Sequence, residues 1–116
     1  MPFNFENLDV YNKAIDFVNC IYVVTRTFPR DAMFGLTSQI RRAAVSIPSN
    51  ISEGSARSKR EFSHFIDIAR GSLFECVTLL EVSCKQGYVS REEYDDFKNQ
   101  LTDLSKMLSG LKRSIN

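Results

Sequence analysis

The chain has 116 residues, 43% hydrophobic and 25% charged, with 15 basic against 14 acidic residues for a net charge of +1. That length allows one domain around a single core, spanning 1–116, and is too short for two. The near-neutral balance excludes a chain-wide attraction to nucleic acid or membrane, so any such signal must be local.

The opening MPFNFENLDV carries acidic residues and no basic-then-apolar run, unlike a secretory signal. Val10, Ala14, Phe17, Ile21, Val24 and Phe28 then recur at three and four, which predicts a first helix from about Asp9 to Phe28 that Pro29 ends. Pro29 to Gly35 reads as a connection, with Asp31 to Phe34 as an alternative first helical turn of the next element. Leu36, Ile40, Ala43, Ala44, Ile47 and Ile51 lie along one face of a second helix. Pro48 falls inside that spacing, which continues in phase beyond it, so a helix kinked at Pro48 is expected. Gly54 suits a left-handed closing position, while Asn50 and Glu53 are placed to satisfy backbone that Pro48 leaves without a donor.

Ser58-Lys59-Arg60-Glu61 matches a capping box and starts a third helix at Lys59, which runs to about Gln86 and stops at Gly87. Phe62, Phe65, Ile66, Ala69, Leu73, Cys76, Val77 and Leu80 form its core face. Ile68, Leu79 and Val82 make a second apolar stripe with Gly71 beside it, and such a stripe calls for a further partner. Ser90-Arg91-Glu92-Glu93 repeats the capping box and opens a fourth helix near Arg91. There Tyr94, Phe97, Leu101, Leu104, Leu108, Leu111 and Ile115 alternate at three and four. The fold class is therefore all-α, an antiparallel up-and-down four-helix bundle.

Three cysteines leave one unpaired, and Cys76 and Cys84, eight residues apart on one predicted helix, are beyond bridging distance. Free thiols in a reducing cytoplasm are the simplest account, and no apolar stretch approaches the ~20 residues a membrane-spanning helix needs. Glu61 and His64, three apart on one helix, are half of a carboxylate-bridged two-metal site, but the chain has one His in total and the other half is missing. Without G-x-S-x-G, a second His or clustered glycines, no catalytic residue, metal or cofactor is expected. Between Gly35 and Arg70, six basic residues (Arg41, Arg42, Arg57, Lys59, Arg60 and Arg70) face three acidic ones (Glu53, Glu61 and Asp67). They are the candidate phosphate-binding patch. The alternative is a set of ordinary ion pairs, with Arg41 held by Glu53 or by an acidic residue of another helix or subunit.

The run QIRRAAVSIPSNISEG, the segment EFSHFIDIARGSLFE and the flanks LDVYNKAIDFVNCIYVVTRTFP and KMLSGLKRSI resemble the bacterial four-helix-bundle proteins first noticed as reading frames inside intervening sequences of 23S ribosomal RNA genes. Members of that family are similar to the accessory variability protein of diversity-generating retroelements, a pentameric barrel with a basic surface that associates with a reverse transcriptase and nucleic acid. The resemblance implies a non-catalytic, RNA-associated, homo-oligomeric protein, by resemblance a pentamer, with Ile68, Gly71, Leu79 and Val82 at the contact between copies. A protein–protein scaffold that binds no nucleic acid is the alternative.

Overall fold

The computed structural model describes residues 3–116, so the first two residues of the opening segment lie outside it. Four helices carry the fold: α1 Asp9–Thr25, α2 Ser38–Ser55, α3 Lys59–Lys85 and α4 Arg91–Ile115. Each packs on the next and α4 returns to α1, so the four stand at the corners of a square. Neighbouring helices run in opposite directions, since Gln39, Ser46 and Gly54 of α2 meet Glu75, Ser72 and Phe65 of α3 in turn. This is the antiparallel bundle that the apolar spacing predicts, 42 × 24 × 22 Å in extent. Its axis is filled by Phe17 and Ile21 of α1, Ile47 and Ile51 of α2, Ile66 and Leu80 of α3, and Leu101, Leu104 and Leu108 of α4, all fully buried. Among the described residues no helix is long and apolar enough to cross a membrane.

The first helix stops earlier than its apolar spacing suggests, at Thr25 rather than Phe28. Thr25 Oγ1 donates to the Ile21 carbonyl at 2.7 Å and Thr27 Oγ1 to that of Val24 at 2.7 Å. Such hydroxyls compete with the backbone ladder. The chain tightens into three-residue turns, with the Phe28 N–H donating to the Thr25 carbonyl at 3.1 Å, and still buries Phe28. Beyond Pro29 the alternative reading holds: a 3-10 turn over Arg30–Ala32 and a wide π-type turn over Met33–Thr37 lead into α2.

Helix α2 passes through Pro48 without a break. Two expectations around it are corrected. The carbonyl freed by a proline lies four residues back, at Ala44, whereas Asn50 Nδ2 donates to the Ser46 carbonyl at 2.8 Å and Ser46 Oγ at 2.9 Å, and Glu53 pairs with Arg57 at 3.5 Å. An amide on a helix reaches back one turn, and six residues is beyond it. Gly54 is not a left-handed stop either. It is buried inside α2, and a Cβ there would stand 2.6 Å from Phe65 Cβ, so its missing side chain is what lets α2 and α3 close together. Gly87, with φ of 81°, does take the left-handed position after α3.

Both predicted caps form, in different ways. Ser58 Oγ accepts from the Glu61 N–H at 3.2 Å and donates to the Glu61 carboxylate at 3.0 Å. At α4 the box is reciprocal: the Glu93 N–H donates to Ser90 Oγ at 3.0 Å and the Ser90 N–H to Glu93 Oε1 at 2.9 Å. Ser90→Ala removes the first arm, and thermal unfolding should show a loss of about 1 kcal/mol. That loss should lower Tm by about 4 °C. All three cysteines are free. Burial, with a smaller push from the Glu75 charge, raises the Cys76 thiol to about 12, so it stays protonated and behaves as a small core hydrophobe.

Candidate nucleic-acid interface

The six basic residues of the candidate patch do not lie together. Arg42 and Arg57 sit near opposite ends of α2, 15 residues apart, which on a helix is about 22 Å. Three of the six are already engaged. Among the described residues Arg41 pairs with no carboxylate: its Nε donates to Thr25 Oγ1 at 2.9 Å and its guanidinium lies 4.7 Å over the Tyr22 ring, fastening α2 to α1. Arg57 stands between Glu53 at 3.5 Å and Glu61 at 3.6 Å, with its guanidinium 5.4 Å over Phe65. Arg70 is half-buried and lies 3.9 Å from Asp67, whose carboxylate also accepts from Lys112 Nζ at 2.8 and 2.9 Å.

Lys59, Arg60 and Arg42 remain. Among the described residues none of them has an ion-pair partner, and all three are exposed. Lys59 and Arg60 open α3, where the free N–H groups and positive dipole end of a helix add to the attraction for anions. The Lys112 contact with Asp67 brings the last turn of α4 to this same end of the bundle, so the exposed Arg113 joins it. Arg113 lies far along the chain from the Gly35–Arg70 segment that holds the candidate patch, so only the packing of α4 against α3 brings it there.

Glu61 is held in the α3 cap and by Arg57, while His64 is exposed and rests edge-on against Phe65, 6.2 Å between ring centroids. Among the described residues no group of three His, Cys, Asp or Glu side chains could hold a metal ion.

Of the four residues expected at a contact between copies, Ile68, Gly71 and Val82 are exposed on α3. Leu79 is not: it is 7% exposed and belongs to the core, because it continues, at intervals of seven, the line of Phe65 and Ser72 that meets Gly54 and Ser46 of α2. Phe74, 59% exposed on the outer side of α3, is a surface residue that the core pattern passes over. Stepping α3 at 100° per residue places it away from the Ile66–Leu80 stripe, which was its signal.

The fold defines a class: a small single-core helical bundle whose individuality lies in its surface. The chain belongs to the 23S rRNA-intervening sequence protein family, whose model matches residues 6–110. A crystal structure of a protein of unknown function from the S23 ribosomal protein family of Bacteroides thetaiotaomicron is similar, with 26% sequence identity, a TM-score of 0.81, and coverage of 90% of this chain and 95% of that one. No curated protein matches the chain.

Proposed function

We propose that the protein is a non-enzymatic, homo-oligomeric bundle that associates with RNA in the cytoplasm, holding phosphates on Lys59, Arg60 and Arg113, with Arg57 behind them. The observation that supports this reading is the concentration of exposed cations without acidic partners at the α3 entry, next to the dipole end of a 27-residue helix. The family resemblance points the same way. Arg41 and Arg70 leave the contact set, because their side chains are committed to Thr25 and Tyr22 and to Asp67. A ring, by resemblance a pentamer, would repeat this modest patch around the assembly and let a chain of net charge +1 hold a polyanion through avidity.

Labelled structured RNA, titrated at 50 and 200 mM salt, tests this directly. Three phosphate contacts should weaken binding about 40-fold between the two when one copy is engaged, and more steeply when several copies of a ring hold the same RNA. Lys59→Glu together with Arg60→Glu should abolish it at the higher salt. Binding that ignores salt, or that survives the double substitution, would sink the reading.

A second reading rests on Phe74. A large apolar side chain 59% exposed on α3 suits a protein partner better than a phosphate backbone. On that reading the protein is an interaction scaffold that does not bind nucleic acid. Pull-down with and without nuclease separates the two, because a partner bridged by RNA vanishes with nuclease and a direct one remains.

A further inference from the structure

The oligomeric reading needs two surfaces that fit one another, and two unlike features of this chain stand on different sides of the bundle. One is a knob. Phe34 is 99% exposed, at the N-terminal corner of α2 where Gly35 departs from helical angles (φ −119°, ψ −106°). It stands on the outer ridge of α2, lining the α2–α3 cleft with Arg42 and Glu75 on one flank and the α1–α2 cleft with Arg42 and Tyr22 on the other. Ile68, Glu75 and Val82 follow one another at intervals of seven, so they share one line along α3 on that same side of the molecule.

The other feature is a groove between α1 and α4. Its volume is about 450 Å³, and Cys20, Val23, Phe97 and Gln100 line it, with Glu93 and Asp96 on the rim. Val23 is 59% exposed within it. In a square of helices the α2–α3 and α4–α1 edges lie opposite one another. One charge pair is complementary as well. Beside the knob, Arg42 donates to Ser38 Oγ at 3.2 Å and among the described residues has no carboxylate partner. On the rim of the groove, Asp96 has no cation among the described residues.

We propose that copies of this chain stack side by side, with the Phe34 ring of one seated in the Val23–Phe97 groove of the next and Arg42 meeting Asp96. The contact is heterologous: each copy gives one knob and receives one, and repetition continues until the ring closes. It places Ile68 and Val82 on the knob side of the same contact, and it rests on the oligomeric reading above.

Two surface substitutions test it on the full chain. Phe34→Asp and Val23→Asp change exposed side chains, so each should keep the wild-type helical content and cooperative melting. Each alone should sediment at the 13.3 kDa monomer mass while the wild type assembles. An equimolar mixture should form a dimer, because Val23→Asp keeps its knob and Phe34→Asp keeps its groove. Phe34→Cys should link under mild oxidation to Cys20 of the next copy, which is exposed in the groove. If the wild type assembles and either Asp variant still does, the proposal is overturned while the oligomeric reading stands. It is equally overturned if the mixture stays monomeric and the Phe34→Cys link forms elsewhere. A wild-type chain that is monomeric at tens of micromolar removes the oligomeric reading itself, and the proposal with it.

Discussion

Leu79→Glu is expected to unfold the protein, not merely to separate its copies. Leu79 is 7% exposed and packs into the core from α3. Removing a buried leucine side chain costs about 2–5 kcal/mol. The new carboxylate must also leave water or drag water inward. Against a total stability of about 5–15 kcal/mol for an ordinary domain, that combination is enough to abolish cooperative unfolding or lower its midpoint severely. Val82→Glu, three residues further along α3 but 42% exposed, is the contrasting case. As a surface change it should alter stability by less than about 0.5 kcal/mol and act only on assembly. Urea unfolding followed by circular dichroism reads both. Leu79→Glu melting like the wild type would mean that α2 does not cover this side of α3.

Gly54→Leu should be nearly as damaging, and for a geometric reason. In an ordinary helix interior a glycine is a weakness of about 1 kcal/mol relative to alanine. Here even the Cβ of alanine would stand 2.6 Å from Phe65 Cβ and 2.9 Å from Phe62 Cδ1. The first of those atoms is fixed to the α3 backbone, so relief requires the two helices to move apart. Overpacking of this kind costs about 1–3 kcal/mol, and more when the added side chain is large. Gly54→Ala should therefore lower stability in spite of its better helix propensity, and Gly54→Leu should lower it by about 3 kcal/mol or more. Gly71→Ala supplies the opposite sign. Nothing lies within 4 Å of a Cβ there, so the helix gain of up to about 1 kcal/mol should appear as a higher unfolding midpoint. If Gly54→Ala also raises the midpoint, the close approach of α2 and α3 is wrong.

Helix order, core faces and starting points were legible in the sequence because each is a local property. The recurrence from Val10 to Phe28, or from Tyr94 to Leu108, follows from burying one side of a 3.6-residue turn, and Ser58 and Ser90 bond to N–H groups only three residues away. Gly87 was readable for the same reason, since its left-handed φ is demanded by the backbone beside it. The end of α1 was readable only in part. Its apolar stripe runs to Phe28, but hydroxyl bonds from Thr25 and Thr27 let the chain leave the α-helix while Phe28 stays buried.

What only the tertiary structure decided depends on how far apart the helices stand and how they turn toward one another. Leu79 lies at the margin of the α3 core stripe, and whether such a residue is surface or core is set by the reach of α2, which no single-helix pattern contains. Gly54 reads in the sequence as a helix stop, and only the placement of Phe65 against it reveals a close approach of two helices. The six basic residues form one cluster along the chain, but a helix is a rod. Its rise separates Arg42 from Arg57, and contacts with Thr25, Tyr22 and Asp67 withdraw Arg41 and Arg70 from solvent chemistry. The sequence by itself determined a four-helix bundle with a basic segment at its centre. The packing of α1, α2 and α3 decided which of those charges are free to meet a polyanion, because side-chain partners are chosen across helices and not along them.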